Sequence, residues 1–294
     1  MSFISYLING ISLGSVYAII ALGYTMVYGI AKMLNFAHGD IIMVGGFTIF
    51  YAVSMQGLPP VIGVLLAVIL CTVLGITIEY IAYRPLRQAA SSLAVLITAI
   101  GVSYLLQNLA LIIFGANTKA FTSVVNVPAL KLADGRINIS GETIVTIISC
   151  VIIMIGLTIF INKTKAGQAM LAVSEDKGAA QLMGINVNRT ISLTFAIGSA
   201  LAAIAGMLLC SAYPSLTPYT GSMPGIKAFV AAVFGGIGSI PGALLGGVIL
   251  GVIEILSKAY ISSQMSDAIV FLVLIIVLLV KPTGILGKKI QEKV

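Results

Sequence analysis

The apolar runs of this sequence are what decide its fold. Between Val61 and Ala82 the only charged residue is Glu79, and the stretch 143–162 carries no charge at all. Such runs are too long to be covered inside a small soluble core. In a bilayer, about 20 mostly apolar residues form one helix across a ~30 Å hydrocarbon layer. A membrane barrel alternates apolar and polar residues instead, and these runs are continuous. Composition agrees: 59% of the 294 residues are hydrophobic, 9% are charged, and mean hydropathy is +1.13. A soluble domain has about 25% charged residues. A soluble enzyme, a disordered chain and a nucleic-acid binder are excluded. The net charge of +7 would mark nucleic-acid binding in a soluble domain, but here it sets membrane topology. The expected fold is an all-α, polytopic integral membrane protein with about eight to nine segments, some short or broken, in one transmembrane domain over residues 1–294.

Segments are expected at about 4–30, 41–55, 61–82, 93–115, 143–162, 190–213, 225–237, 241–257 and 267–281. Read as one helix, 225–257 would be about 50 Å long, far more than a crossing needs. It contains GGIGSIPG at 235–242, where Pro241 lacks a donor and clashes with the preceding turn. The run therefore splits near Ser239. Charge supports the split, because inward-facing loops carry the excess of Lys and Arg. The loop with Arg84 and Arg87 is basic. So are residues 163–189, with Lys163, Lys165, Lys177 and Arg189, and the tail, with Lys281, Lys288, Lys289 and Lys293. With the split, 11 basic residues including Lys32 lie inside and 5 outside, and the N-terminus is outside. Segment 41–55 is the weak point of this topology because it is short. The N-terminus has no Lys or Arg before its first apolar run, unlike a cleaved leader, so that segment is expected to remain. The stretch 116–142 is expected to be an extracytoplasmic loop, and 163–189 a cytoplasmic one.

Glycine pairs four apart, at Gly10/Gly14, Gly238/Gly242, Gly242/Gly246 and Gly247/Gly251, allow close helix approach in lipid. Cys71, Cys150 and Cys210 stand alone in apolar runs and read as small hydrophobes, so neither a metal site nor a disulfide framework is expected. GISLG at 10–14 has the spacing of a nucleophile elbow but lies in a helical apolar run of a chain with a single histidine. The glycine-rich 235–242 stretch lacks the Gly-Lys-Ser/Thr order of a phosphate loop. If ATP drives this protein, a partner hydrolyses it.

Three regions carry candidate function. In the loop 163–189, apolar residues including Ala169, Leu171, Ala172, Ala179, Ala180, Leu182 and Met183 point to short helices, with Gly184 at a C-cap position. Such a piece either docks in a groove of a partner or lies on lipid, and the residues alone leave both open. In KMLNFAHGD, residues 32–40, Asp40 can cap the following helix. Asn35, His38 and Asp40 also sit where a gate or path lining belongs, and a proton relay is the remaining reading for the lone histidine. Ionisable residues in apolar runs form the third set. Glu79 reads as an interfacial residue, Lys227 as one reaching water at the outer face or an anionic group, and Glu254 as the i+4 partner of Lys258. Asn9, Ser12, Ser15, Tyr17, Tyr24, Thr25, Tyr28, Gln107 and Asn108 are candidate path residues.

Several blocks together make the chain recognisable: LGSVYAIIALGYTMVYGIAKMLNFAHGD at 13–40, AYRPLR at 82–87, GQAMLAVSEDKGAAQLMGINVNR at 167–189, GIKAFVAAVFGGIGSIPGALLGG at 225–247 and KPTGILG at 281–287. The chain resembles, almost end to end, the membrane permease subunits of bacterial ABC importers for branched-chain amino acids. The resemblance implies a type II ABC importer fold in the bacterial inner membrane. It implies two ATP-binding subunits that carry ATP-Mg, a sister permease subunit in preference to a second copy, and a periplasmic or lipid-anchored binding protein. The permease itself binds no cofactor and catalyses no reaction. It further implies that Glu175, Asp176, Lys177, Ala179, Ala180, Met183, Gly184 and Ile185 dock on the ATPase. Tyr17, Tyr24, Asn35, His38, Asp40, Gln107 and Asn108 are then expected to line the path or its gate. Alternatives are a urea or short-amide permease, a broader amino-acid permease and, in another class, a stand-alone secondary transporter or channel.

Overall fold

Backbone amides in lipid have no water to bond, so a spanning segment must satisfy them internally, and the apolar runs fold as helices. A computed structural model describes residues 2–88, 92–132 and 137–287. Helix α1 covers Ser2–Ala31. Helix α2, His38–Ile49, continues as a π-turn over Phe50–Met55. Helix α3, Pro60–Ile78, likewise continues over Glu79–Tyr83. Helices α4, Ser92–Phe114, and α5, Gly141–Lys163, follow. Two short helices, α6 at Lys165–Glu175 and α7 at Lys177–Leu182, precede α8 at Val187–Ala212. The chain closes with α9 at Ser222–Gly235, α10 at Ile240–Tyr260 and α11 at Ser266–Val280. Among the described residues, seven helices are long and apolar enough to cross a membrane, and α9 and α11 are shorter apolar helices. The segment layout read from the sequence is therefore found, including the break between α9 and α10. The second helix begins three residues earlier than expected, and with its π-turn reaches 18 residues.

Side-chain caps set several boundaries. Ser140, Thr164, Asp176, Asn186 and Ser239 each accept a backbone N–H from the first turn of the helix that follows. The α9–α10 break rests on Gly236 and Gly238, whose φ of 105° and 93° only glycine adopts freely. The last carbonyls of α9 are not left open: Phe234 O and Gly235 O accept from the amides of Ile285 and Leu286, each at 2.9 Å. The KPTGILG block thus closes the end of α9. Between α4 and α5, strands β2 (Leu130–Leu132) and β3 (Ile137–Ile139) form an antiparallel hairpin; β1 (Lys119–Ala120) pairs with β4 (Ser215–Leu216) after α8.

Helices α1, α2 and α8 form the buried centre, while α4 and α5 expose apolar faces. The α1–α10 contact uses the glycine spacing. A Cβ on Gly10 would lie 2.8 Å from Val252 Cα, and one on Gly14 would lie 2.6 Å from Val248 Cα. Gly247 and Gly251 of α10 return the contact onto Ala18 and Gly14. Small residues here let the backbones meet, and dispersion contacts replace the hydrophobic drive that lipid removes. Gly14→Val is expected to destabilise the purified protein by about 1–3 kcal/mol through overpacking. Gly156→Val, at a position where an added Cβ meets nothing within 4 Å, should shift thermal unfolding in detergent by under ~0.5 kcal/mol.

Candidate functional site

Helix α1 ends at Ala31, and Lys32 follows with φ 58°, a left-handed turn. The chain then doubles back before α2 starts. The ring of His38 lies 4.7 Å from that of Tyr24, and Gly23 leaves room for it: a Cβ there would meet the imidazole at 2.5 Å. Tyr24 lies seven residues before Ala31, about 10 Å along the helix. Helix α2 therefore begins inside the bundle, not at its edge. Helix α9 begins at the same place. A Cβ on Gly39 would lie 2.6 Å from Gly221 O, and one on Gly225 would lie 2.9 Å from Gly39 Cα. The N-terminal ends of α2 and α9 thus touch backbone to backbone, and neither carries a side-chain cap.

Beside this junction, α4 completes a cleft of about 300 Å³. Its polar lining is Tyr24, Asp40, Ser103, Gln107 and Ser222; Phe36, Ile100, Tyr104 and Ile226 form its apolar wall. Gln107 Nε2 stands 2.9 Å from Asp40 Oδ1, 3.2 Å from Ser103 Oγ and 3.3 Å from Ser222 Oγ. Two amide hydrogens serve three acceptors. The capping role considered for Asp40 is not found: Ala37 is the N-cap, no side chain caps the helix, and Asp40 turns to α4.

Three of the expected path residues, Tyr24, Asp40 and Gln107, meet at this cleft, with His38 packed behind Tyr24. Asn35 is buried to one side, accepting from Tyr83 Oη at 3.0 Å. Tyr17 lies elsewhere and donates to Glu254 Oε2 at 2.9 Å. Asn108 is exposed on α4 and donates to Tyr104 O at 2.7 Å. Ser103 and Ser222 were not singled out from sequence; Ser103 lies one helical turn before Gln107, a spacing that could have shown it.

The bundle covers the ionisable residues. Glu79 is 0% exposed, pairing with Arg87 and accepting from Ser192 Oγ. Lys227 is buried in α9 and so does not itself reach water; its anionic partners are Glu254 at 2.8 Å and the partly exposed Asp267 at 2.6 Å. The expected Glu254–Lys258 pair is present at 2.6 Å. Glu254 therefore ties α1, α9 and α10 together through Tyr17, Lys227 and Lys258.

Residues 6–278 match the family described as branched-chain amino acid transport system, permease component. The chain belongs to this permease family. It is 46% identical to the high-affinity branched-chain amino acid transport system permease protein LivH of Salmonella typhimurium, over 99% of this chain and 98% of that protein. The LivH protein of Escherichia coli gives the same identity and coverage. The corresponding permease protein BraD of Pseudomonas aeruginosa is 44% identical, again over 99% of this chain and 98% of that protein. The chain is thus a multi-pass membrane permease.

The permease's second candidate site is its 163–189 loop, and it folds as two short helices. Glu175 ends α6, and Asp176 caps α7, accepting from Gly178 N at 2.8 Å and Ala179 N at 3.0 Å. Gly184, at φ 83°, turns the chain away after Met183. Lys177 Nζ donates to Ala31 O at 3.1 Å, joining α7 to the end of α1; burial, then Arg87 and Lys32, lower its pKa. Ala180 is buried and Ile185 half-buried, so these two face the bundle. The outward face is Ala179 with Leu182, 90% exposed, and Met183, 83% exposed. Leu182 was noted as apolar but left out of the docking set; its spacing of three from Ala179 was the available signal.

Breaking one partner of a buried ion pair leaves an uncompensated charge, about 3–5 kcal/mol. Glu254→Gln is expected to lower thermal stability of the purified permease by less than that, about 1–3 kcal/mol, because Asp267 still neutralises Lys227. Lys227→Met should cost less, because Lys258 still neutralises Glu254.

Proposed function

We propose that this chain is the membrane-spanning subunit of an ATP-driven importer of branched-chain amino acids in the bacterial inner membrane. The observation that carries this reading is the helix α7 knob, which presents Leu182 and Met183 to solvent on a turn held by Asp176 and Gly184. Two bare apolar side chains on a capped, rigid knob fit a groove of a partner. The relatives' names supply the substrate class, since they are permease proteins for branched-chain amino acids. In this reading the loop 163–189 and the C-terminus are cytoplasmic, 116–142 is extracytoplasmic, and the whole chain is one transmembrane domain. The tail residues Lys288, Lys289 and Lys293 that support the orientation lie outside the described residues.

Two ATP-binding subunits hold ATP-Mg, and this chain binds no cofactor and performs no catalysis. A periplasmic or lipid-anchored protein delivers the amino acid. A sister permease covers the exposed face of α4, where Asn108 would otherwise present a carboxamide to lipid, a costly placement. Tyr24, Asp40 and Gln107 line this subunit's half of the path, with Asn35 and His38 supporting the turn behind it. ATP binding moves the α7 knobs, and their differential contacts bias inward- and outward-open states.

The test is reconstitution of the permease pair with its ATPases and binding protein in vesicles. Leucine uptake is expected to require ATP. Leu182→Asp places a charge in the docked groove, and each ~1.4 kcal/mol lost there is tenfold in association. It should lower uptake at least tenfold while the permease folds and purifies normally. Leucine uptake that proceeds without the ATPases defeats the reading.

A further inference from the structure

We propose that the cleft between α2, α4 and α9 is a recognition site for the α-ammonium group of the transported amino acid, with the carboxylate of Asp40 as its counter-ion. This rests on the importer reading above. Asp40 is 2% exposed and lines the cleft, yet its Oδ2 has no hydrogen-bond partner among the described residues. Nor does any described Lys or Arg pair with it. Its other oxygen is held by Gln107 at 2.9 Å, which fixes the carboxylate's direction. A buried carboxylate with one satisfied oxygen is costly unless a cationic group completes it.

The other buried carboxylates of the bundle show the contrast: Glu79 is matched by Arg87, and Glu254 by Lys227 and Lys258. Asp40 alone among these three buried acids lacks a cation, and it alone faces the cleft. A primary ammonium supplies three donors, enough for Oδ2 and for neighbouring hydroxyls such as Ser222 Oγ. The junction also suits the other end of the substrate. Helices α2 and α9 both begin here without side-chain caps, and their N-terminal partial charges favour an anionic carboxylate. Phe36, Ile100 and Ile226 offer apolar wall for a branched side chain. The ligand class is therefore a zwitterionic, apolar α-amino acid. A neutral amide would leave Asp40 uncompensated.

The experiment compares Asp40→Asn and Asp40→Glu with the unsubstituted transporter, in the complete complex with ATPases and saturating leucine-loaded binding protein. Uptake of labelled leucine and binding-protein-stimulated ATP hydrolysis are read together. Asp40→Asn keeps shape and loses charge; uptake is expected to fall at least tenfold while stimulated hydrolysis stays within twofold. Asp40→Glu restores charge and is expected to recover a third or more of the uptake. Leucine uptake by Asp40→Asn within twofold of the unsubstituted complex overturns the proposal. Should Asp40→Asn fail to assemble, Ser103→Lys decides. It tethers an ammonium beside Asp40 and is expected to abolish leucine uptake in an assembled complex; retained uptake overturns the proposal. Failure of the unsubstituted complex to take up leucine with ATP rejects the importer reading itself, a result separable from any effect at Asp40.

Discussion

A helix can begin inside a bilayer only if protein, not lipid, surrounds its first turn, because its leading amides have no partners of their own. Everything at the candidate site depends on this constraint. Helices α2 and α9 both start within the bundle, and each is the other's wall. Gly39, Gly221 and Gly225 make that possible: a side chain on any of them would run into the opposing backbone. Around this pair, α1 and α8 supply the rest of the protein envelope. The consequence is a polar pocket at a depth where polar groups are otherwise unaffordable.

The charged residues show how the bundle tolerates polarity elsewhere. Glu79 with Arg87, and Glu254 with Lys227 and Lys258, are buried as matched sets, each further bonded by hydroxyls from Ser192 and Tyr17. These sets join elements distant in sequence and hold them in register. Replacing such pairs by apolar residues need not weaken a fold, so their value lies in which helices they bring together. The first set fixes the end of α3 against the start of α8. The second fixes α1 against α9 and α10.

Much of this was legible in the sequence because lipid imposes a strong local code. Apolar run length marked the helices, GGIGSIPG marked the break, and the Gly10/Gly14 and Gly247/Gly251 spacings marked surfaces that do pack together. The short helices of the 163–189 loop were readable from their apolar residues and from Gly184, whose backbone role is local. What was not legible is pairing across the chain. Asp40 finds Gln107 67 residues away, Glu254 finds Tyr17 237 residues away, and no periodicity reports such meetings. Burial was misjudged for the same reason. Glu79 and Lys227 stand near run ends, where a linear reading places water, but neighbouring helices cover both.

The contact between Lys177 and the carbonyl of Ala31 has a mechanical meaning. Helix α7 is an exposed knob, and Ala31 is the last helical residue before the turn that leads to Asp40. Knob and cleft are thus linked by one hydrogen bond and nine residues of backbone, alongside the packing of Ala180 and Ile185 onto the bundle. Along the first of these routes a displacement of α7 reaches the left-handed joint at Lys32 before it reaches the helix end that carries the carboxylate.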